Sequence, residues 1–142
     1  MPKWKRPTVD TKFHIDHQWW TANGKDIRVA VRGQLCSECQ TRFPDHRNTE
    51  AVDWVDPDTA EVVQADALMQ CLRSECAHKP GFISRTSPLI TNIFRIFLLN
   101  GNQSLNPLEL HEQITWQDSD VILRTLAGGT VFMGIRPDYE ES

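Results

Sequence analysis

The chain has 142 residues, enough for one domain or two small lobes sharing a core, and a net charge of -4. That mildly acidic balance excludes a protein whose whole surface grips a phosphate backbone, while leaving room for one local basic face. The apolar fraction of 39% is low, and a small lobe with few apolar residues gains from a metal cross-link.

At the N-terminus, Lys3, Trp4, Lys5 and Arg6 form a cationic, aromatic arm between Pro2 and Pro7, so residues 1–8 read as a flexible tail. No apolar stretch follows it, as a secretory signal would require. Residues 12–16 alternate polar with apolar, as a half-buried strand does. His14, Asp16 and His17 lie together in sequence, but on a strand His17 points away from the other two, which makes a poor three-ligand site. Trp19-Trp20 precede the turn signal Asn23-Gly24, and Ile27, Val29 and Val31 alternate through 26–35, completing an antiparallel hairpin or meander. On that strand Arg28 and Arg32 share one face.

The second strand runs into Cys36-Ser37-Glu38-Cys39, placing a C-x-x-C turn at a strand end. Residues 43–48 read as loop, and a second hairpin follows from 51–55 and 61–63 around the turn at 56–59. Asp53, Asp56 and Asp58 lack the glycine and distal glutamate of a calcium loop. Asp66 is placed to N-cap a helix through Leu68 and Leu72 that Pro80-Gly81 closes, and that helix carries Cys71 and Cys76.

The second lobe opens with Ser87 as a cap and Pro88 at the first helical position. Its helix over 88–100 is apolar around much of its circumference and so belongs at the centre of a core. Gly101 ends it. Asn106-Pro107-Leu108-Glu109 is a variant capping box for the next helix. Asp118 caps a third, stopped by Gly128-Gly129, and 130–135 alternates as a final strand before the acidic tail 138–142. The fold class expected is α+β: a zinc-binding β-rich module over 9–80, then a three-helix domain over 86–137.

Cys36, Cys39, Cys71 and Cys76 are all the cysteines of the chain. In the reducing cytoplasm that the absence of a leader or a spanning segment suggests, they read as ligands of a tetrahedral Zn2+ site rather than disulfides. Cys71 and Cys76 are five residues apart and would point about 140° apart on one helix, so both bind only if Cys76 lies beyond the last turn. His78 or His46 is the alternative fourth ligand. A closed four-ligand site is structural, and no other pair of groups identifies a reaction, so the chain reads as a non-enzyme.

Residues 88–137, about a third of the chain, resemble a winged-helix domain, most specifically through 105–114 followed by 118–126. The resemblance implies that the third helix enters the major groove of DNA, with Ser119, Arg124 and Thr125 facing it and Arg136 near the wing. It also implies a role in nucleic-acid binding and transcription control, or, as the alternative, an adaptor surface docking into a larger protein complex. Neither a membrane nor a small-molecule substrate is indicated.

Overall fold

The computed structural model describes residues 6–47, 52–55 and 62–138. They form a mixed α and β arrangement of seven α-helices, one 3-10 turn and two antiparallel two-stranded sheets, grouped into two compact units. One unit comprises 1–24 and 83–142, the other 25–82.

In the first unit, β1 (Phe13–Ile15) pairs with β4 (Ile135–Pro137), Phe13 facing Pro137 and Ile15 facing Ile135. Phe13 and Ile15 are buried with His14 between them half-exposed, so the alternation over 12–16 is that of a strand. This strand, grouped by sequence with the zinc module, lies instead among the C-terminal helices, and Phe13 also bridges to Leu105. α1 (His17–Ala22) follows immediately, capped by Asp16, which accepts from the Gln18 N–H. Trp19 and Trp20 are therefore helical, not part of a hairpin, and Asn23-Gly24 terminates a helix, with Gly24 at φ +65°.

The centre of this unit is α5 (Leu89–Leu99), whose Ile93, Phe94, Ile96 and Phe97 are almost completely buried. Its cap is Pro88 itself, in an extended conformation (ψ 143°), one residue later than the sequence suggested. Asn92 is a fully buried polar residue of α5, and its amide is satisfied by donating to Ser84 O at 2.9 Å and accepting from Ser84 N at 3.3 Å. After Gly101, Asn102 adopts φ +63° and turns its side chain onto β1, accepting from Ile15 N–H at 2.8 Å and donating to Ile15 O at 2.9 Å. The amide thus serves the free edge of β1 as a neighbouring strand would. Asn102→Ala is expected to cost about 2–4 kcal/mol in chemical denaturation, since two buried backbone groups lose their partners and alanine lacks the short polar side chain by which asparagine tolerates the left-handed region. Asn102→Gly should cost less, by about the 1–2 kcal/mol of the backbone term.

α6 (Pro107–Gln113) begins with the expected capping box: Asn106 accepts from the Glu109 N–H at 2.8 Å and Glu109 accepts from the Asn106 N–H at 2.9 Å. α7 (Ser119–Leu126) packs on α6, burying Ile122 and Leu126 near Leu110 and Ile114. Asp118 is its N-cap by backbone geometry, without a side-chain hydrogen bond. The strand expected over 130–135 is confined to β4, because Met133 (φ +53°) and Gly134 (φ +73°) turn the chain just before it.

In the second unit, 26–35 is a helix and not a strand: α2 (Ile27–Gly33), capped by Asp26 accepting from the Arg28 N–H. Cys36 then caps α3 (Ser37–Arg42), so the C-x-x-C motif starts a helix rather than ending a strand. β2 (Val52–Val55) pairs antiparallel with β3 (Val62–Ala65), Val55 facing Val62, in the expected second hairpin; its turn lies outside the described residues. Asp66 caps α4 (Ala67–Ser74) by accepting from the N–H groups of Leu68 and Met69. The helix buries Ala67, Leu68, Cys71 and Leu72 along one face and stops at Ser74, well before Pro80-Gly81. A 3-10 turn, Cys76–His78, follows.

Candidate functional site

The break between α4 and the 3-10 turn places Cys76 beyond the last helical turn, as joint use of Cys71 and Cys76 requires. The sulfurs of Cys36, Cys39 and Cys76 lie within 4.8 Å of one another. Cys36 Sγ and Cys76 Sγ are 3.3 Å apart, close to the roughly 3.8 Å separating two thiolates each 2.3 Å from a tetrahedral zinc ion. The Cys36 N–H donates to Cys76 Sγ at 3.0 Å. At the start of α3 the Cys39 N–H lowers the Cys36 thiol below its ordinary value, while burial raises that of Cys76. These three cysteines form a possible metal-binding group.

Cys71 stands differently. It is joined to Cys39 as a disulfide, with Cα atoms 6.3 Å apart, where four free thiolates were expected. The reason is geometric: the approach of α3 to α4 that would gather ligands also sets these two residues within the reach of a disulfide. Neither histidine alternative enters the cluster. His46 Nε2 is 3.4 Å from Asp26 Oδ2, and His78 belongs to no group of metal-ligating atoms among the described residues.

Charged residues that the motif does not reveal surround the sulfurs. Glu75 Oε2 is 3.3 Å from Cys71 Sγ and 3.8 Å from Cys39 Sγ, completing a second possible ligand group with them. Arg42 Nη1 holds the same oxygen at 2.6 Å and lies 3.5 Å from Cys71 Sγ, and its hydrogen bond draws the Glu75 carboxyl below the usual carboxylate range. Lys79 Nζ donates to Glu38 at 3.1 Å, which raises the lysine's pKa. A signal existed for Arg42 and Glu75: they fall three and four residues after Cys39 and Cys71, on the same helix faces.

Arg28 and Arg32, four residues apart on α2, are used inside this unit. Arg28 pairs with Asp66, and Arg32 donates through Nε to Phe43 O at 2.6 Å and through Nη2 to Gln40 O at 3.3 Å, satisfying carbonyls at the end of α3.

The residues expected to face nucleic acid are dispersed. Ser119 opens α7 beside the exposed acids Asp118 and Asp120. The Thr125 hydroxyl donates to Val121 O at 3.0 Å, within its own helix. Arg136 sits on β4 with Nη1 3.3 Å from Asp16 Oδ2. Arg124 is exposed in the last turn of α7 and lines a groove with Arg6, Pro7, Leu123, Ala127 and Gly128. The sequence places Arg6 in a cationic N-terminal arm but gives no sign that it shares a groove with the end of α7.

His14 and Asp16 flank Ile15 without forming a site. His14 Nδ1 is 3.7 Å from Asp138 Oδ2, which accepts from Ser104 Oγ at 2.5 Å, so the serine is bonded to the carboxylate and not to the imidazole that would activate it. No described helix is long and apolar enough to cross a membrane. The chain matches no family model, and no curated protein or solved structure proved similar to it.

Proposed function

We propose that the chain is a non-enzymatic, zinc-stabilised protein that binds nucleic acid, with DNA favoured, through a winged-helix-like unit, in the control of transcription. With the Cys39–Cys71 bond reduced, Cys36, Cys39, Cys71 and Cys76 are the thiolates that hold Zn2+, four sulfur ligands from α3, α4 and the 3-10 turn being a donor set suited to that ion. Such a site closes the second unit and leaves no position open for water or substrate.

The observation that carries the nucleic-acid reading is α7 anchored on α6 through Ile122 and Leu126, with Arg124 outward and unpaired with any described acid. The order α5, α6, α7, β4 supports the winged-helix resemblance. β4 pairs with the N-terminal β1, and Arg136 with Asp16, so the reading rests on α7 rather than on a wing.

Binding of a labelled duplex and of a single strand should weaken steeply with salt, the logarithm of affinity falling linearly with the logarithm of salt concentration. Fluorescence anisotropy measures this directly. Absence of salt-sensitive binding to either would sink the reading and favour a protein partner, toward which the acids at the start of α7 already lean.

A further inference from the structure

The groove lined by Arg6, Pro7, Leu123, Arg124, Ala127 and Gly128 has a volume of about 510 Å³, within the range of sites that hold a whole small ligand. Its two arginines come from opposite ends of the chain, one from the segment before β1 and one from the last turn of α7. Among the described residues no acid pairs with either. Arginines serving only the fold are matched elsewhere in this molecule, Arg136 by Asp16, Arg42 by Glu75 and Arg28 by Asp66. Two cations brought to one concavity with no counter-charge among the described residues repel each other, and that repulsion is relieved by an anion.

We propose that this groove binds phosphate groups, and that a backbone phosphodiester occupies it when nucleic acid is bound. The guanidinium fork matches phosphate oxygens bidentately, and Pro7, Leu123 and Ala127 give an apolar wall for the attached sugar or base. The C-terminal carbonyls of α7 oppose an anion with about half a negative charge, which two whole positive charges outweigh. Asp120 lies one turn before Arg124, about 6 Å along the helix axis, and does not line the groove. The inference rests on the nucleic-acid reading for its natural occupant, but the groove can be tested apart from it.

Two measurements on the full chain separate them. In anisotropy titrations with a single strand and with a duplex of the same sequence, Arg6→Ala and Arg124→Ala should each reduce the salt slope by about 0.7–0.9 and weaken binding about tenfold, whereas Arg85→Ala should not. Arg85 is stacked 5.7 Å from the Trp116 ring, outside the groove. In amide NMR spectra, inorganic pyrophosphate should shift residues 123–128 in the wild type and not in Arg124→Ala, with dispersion elsewhere confirming that the variant is folded. Nucleic-acid binding with unchanged slopes in both arginine variants would overturn the groove and leave the nucleic-acid reading standing. Pyrophosphate shifts at 123–128 without binding of either oligonucleotide would keep the groove and remove that reading. No shift with pyrophosphate and no oligonucleotide binding would overturn both.

Discussion

Cys36→Ser is expected to abolish stoichiometric zinc in protein purified under reducing conditions and to unfold the unit spanning 25–82, the largest loss of stability of any single substitution in the chain. The cause is the size of the unit relative to the term removed. Structural Zn2+ binding contributes on the order of 10 kcal/mol, comparable to the 5–15 kcal/mol net stability of a whole domain. Among the described residues outside the strands, this unit buries only a few apolar side chains besides its cysteines: Val31 and Leu35, with Ala67, Leu68 and Leu72 of α4. Elemental analysis reports the metal, and hydrogen exchange reports which residues lose protection. Cys71→Ser should behave in the same way, because neither His46 nor His78 is near enough to replace it and Glu75, which lies beside the sulfurs, is held by Arg42. Full zinc in Cys71→Ser would show that three cysteines and another group bind the ion. Protein that holds no metal when reduced, and resists a strong chelator, would refute the site. Alkylation before and after reduction gives the complementary reading: without reductant Cys39 and Cys71 are protected, as the disulfide requires, while the part-exposed Cys36 reacts in the folded protein and the buried Cys76 reacts once the chain is denatured.

The parts of this fold legible in the sequence are those fixed by local chemistry. Asp66, Asn106 and Gly101 announce helix ends because a side-chain acceptor or a positive φ is needed within a few residues of the break. The C-x-x-C spacing is informative for the same reason. The segment 26–35 misleads because Ile27, Val29 and Val31 alternate and are β-branched, which imitates a strand. In the structure Val29 is 54% exposed and the buried positions are Val31 and Leu35, four apart, a helical spacing that the Asp26 cap would also have supported. Pairings between distant segments leave no local trace: β1 with β4, Arg6 beside Arg124, and the bond from Cys39 to Cys71. The candidate site is divided in the same way. The cysteines of the possible metal group are readable from spacing, but the acids that pair with Arg136 and Arg28 and the carbonyls that Arg32 binds are supplied by tertiary packing.

Gly134→Ala should destabilise the unit containing β1 and β4 by about 2–5 kcal/mol, lowering its melting temperature by many degrees. Two costs act together. The residue has φ +73°, where a β-carbon costs about 1–2 kcal/mol. That carbon would also stand 2.3 Å from Nε1 and 2.8 Å from Cδ1 of Trp20, with Trp19 Cε3 at 3.1 Å, and such overpacking typically costs a further 1–3 kcal/mol. The indole has little room to yield. Trp20 is 7% exposed, set edge-on to Trp19 with ring centroids 5.3 Å apart, and tilted against Phe94 at 6.2 Å. Gly134 O also accepts the Asp16 N–H at 2.8 Å, so a shift of this turn would disturb the entry to α1 and, through Asp16, the contact with Arg136. Gly129→Ala supplies the comparison: its β-carbon meets nothing within 4 Å and its φ is not in the left-handed range, so it should be neutral within about 0.5 kcal/mol. Chemical denaturation followed by tryptophan fluorescence reads both variants. Equal stability of Gly134→Ala and wild type would mean that the Trp20 ring is not held against this turn.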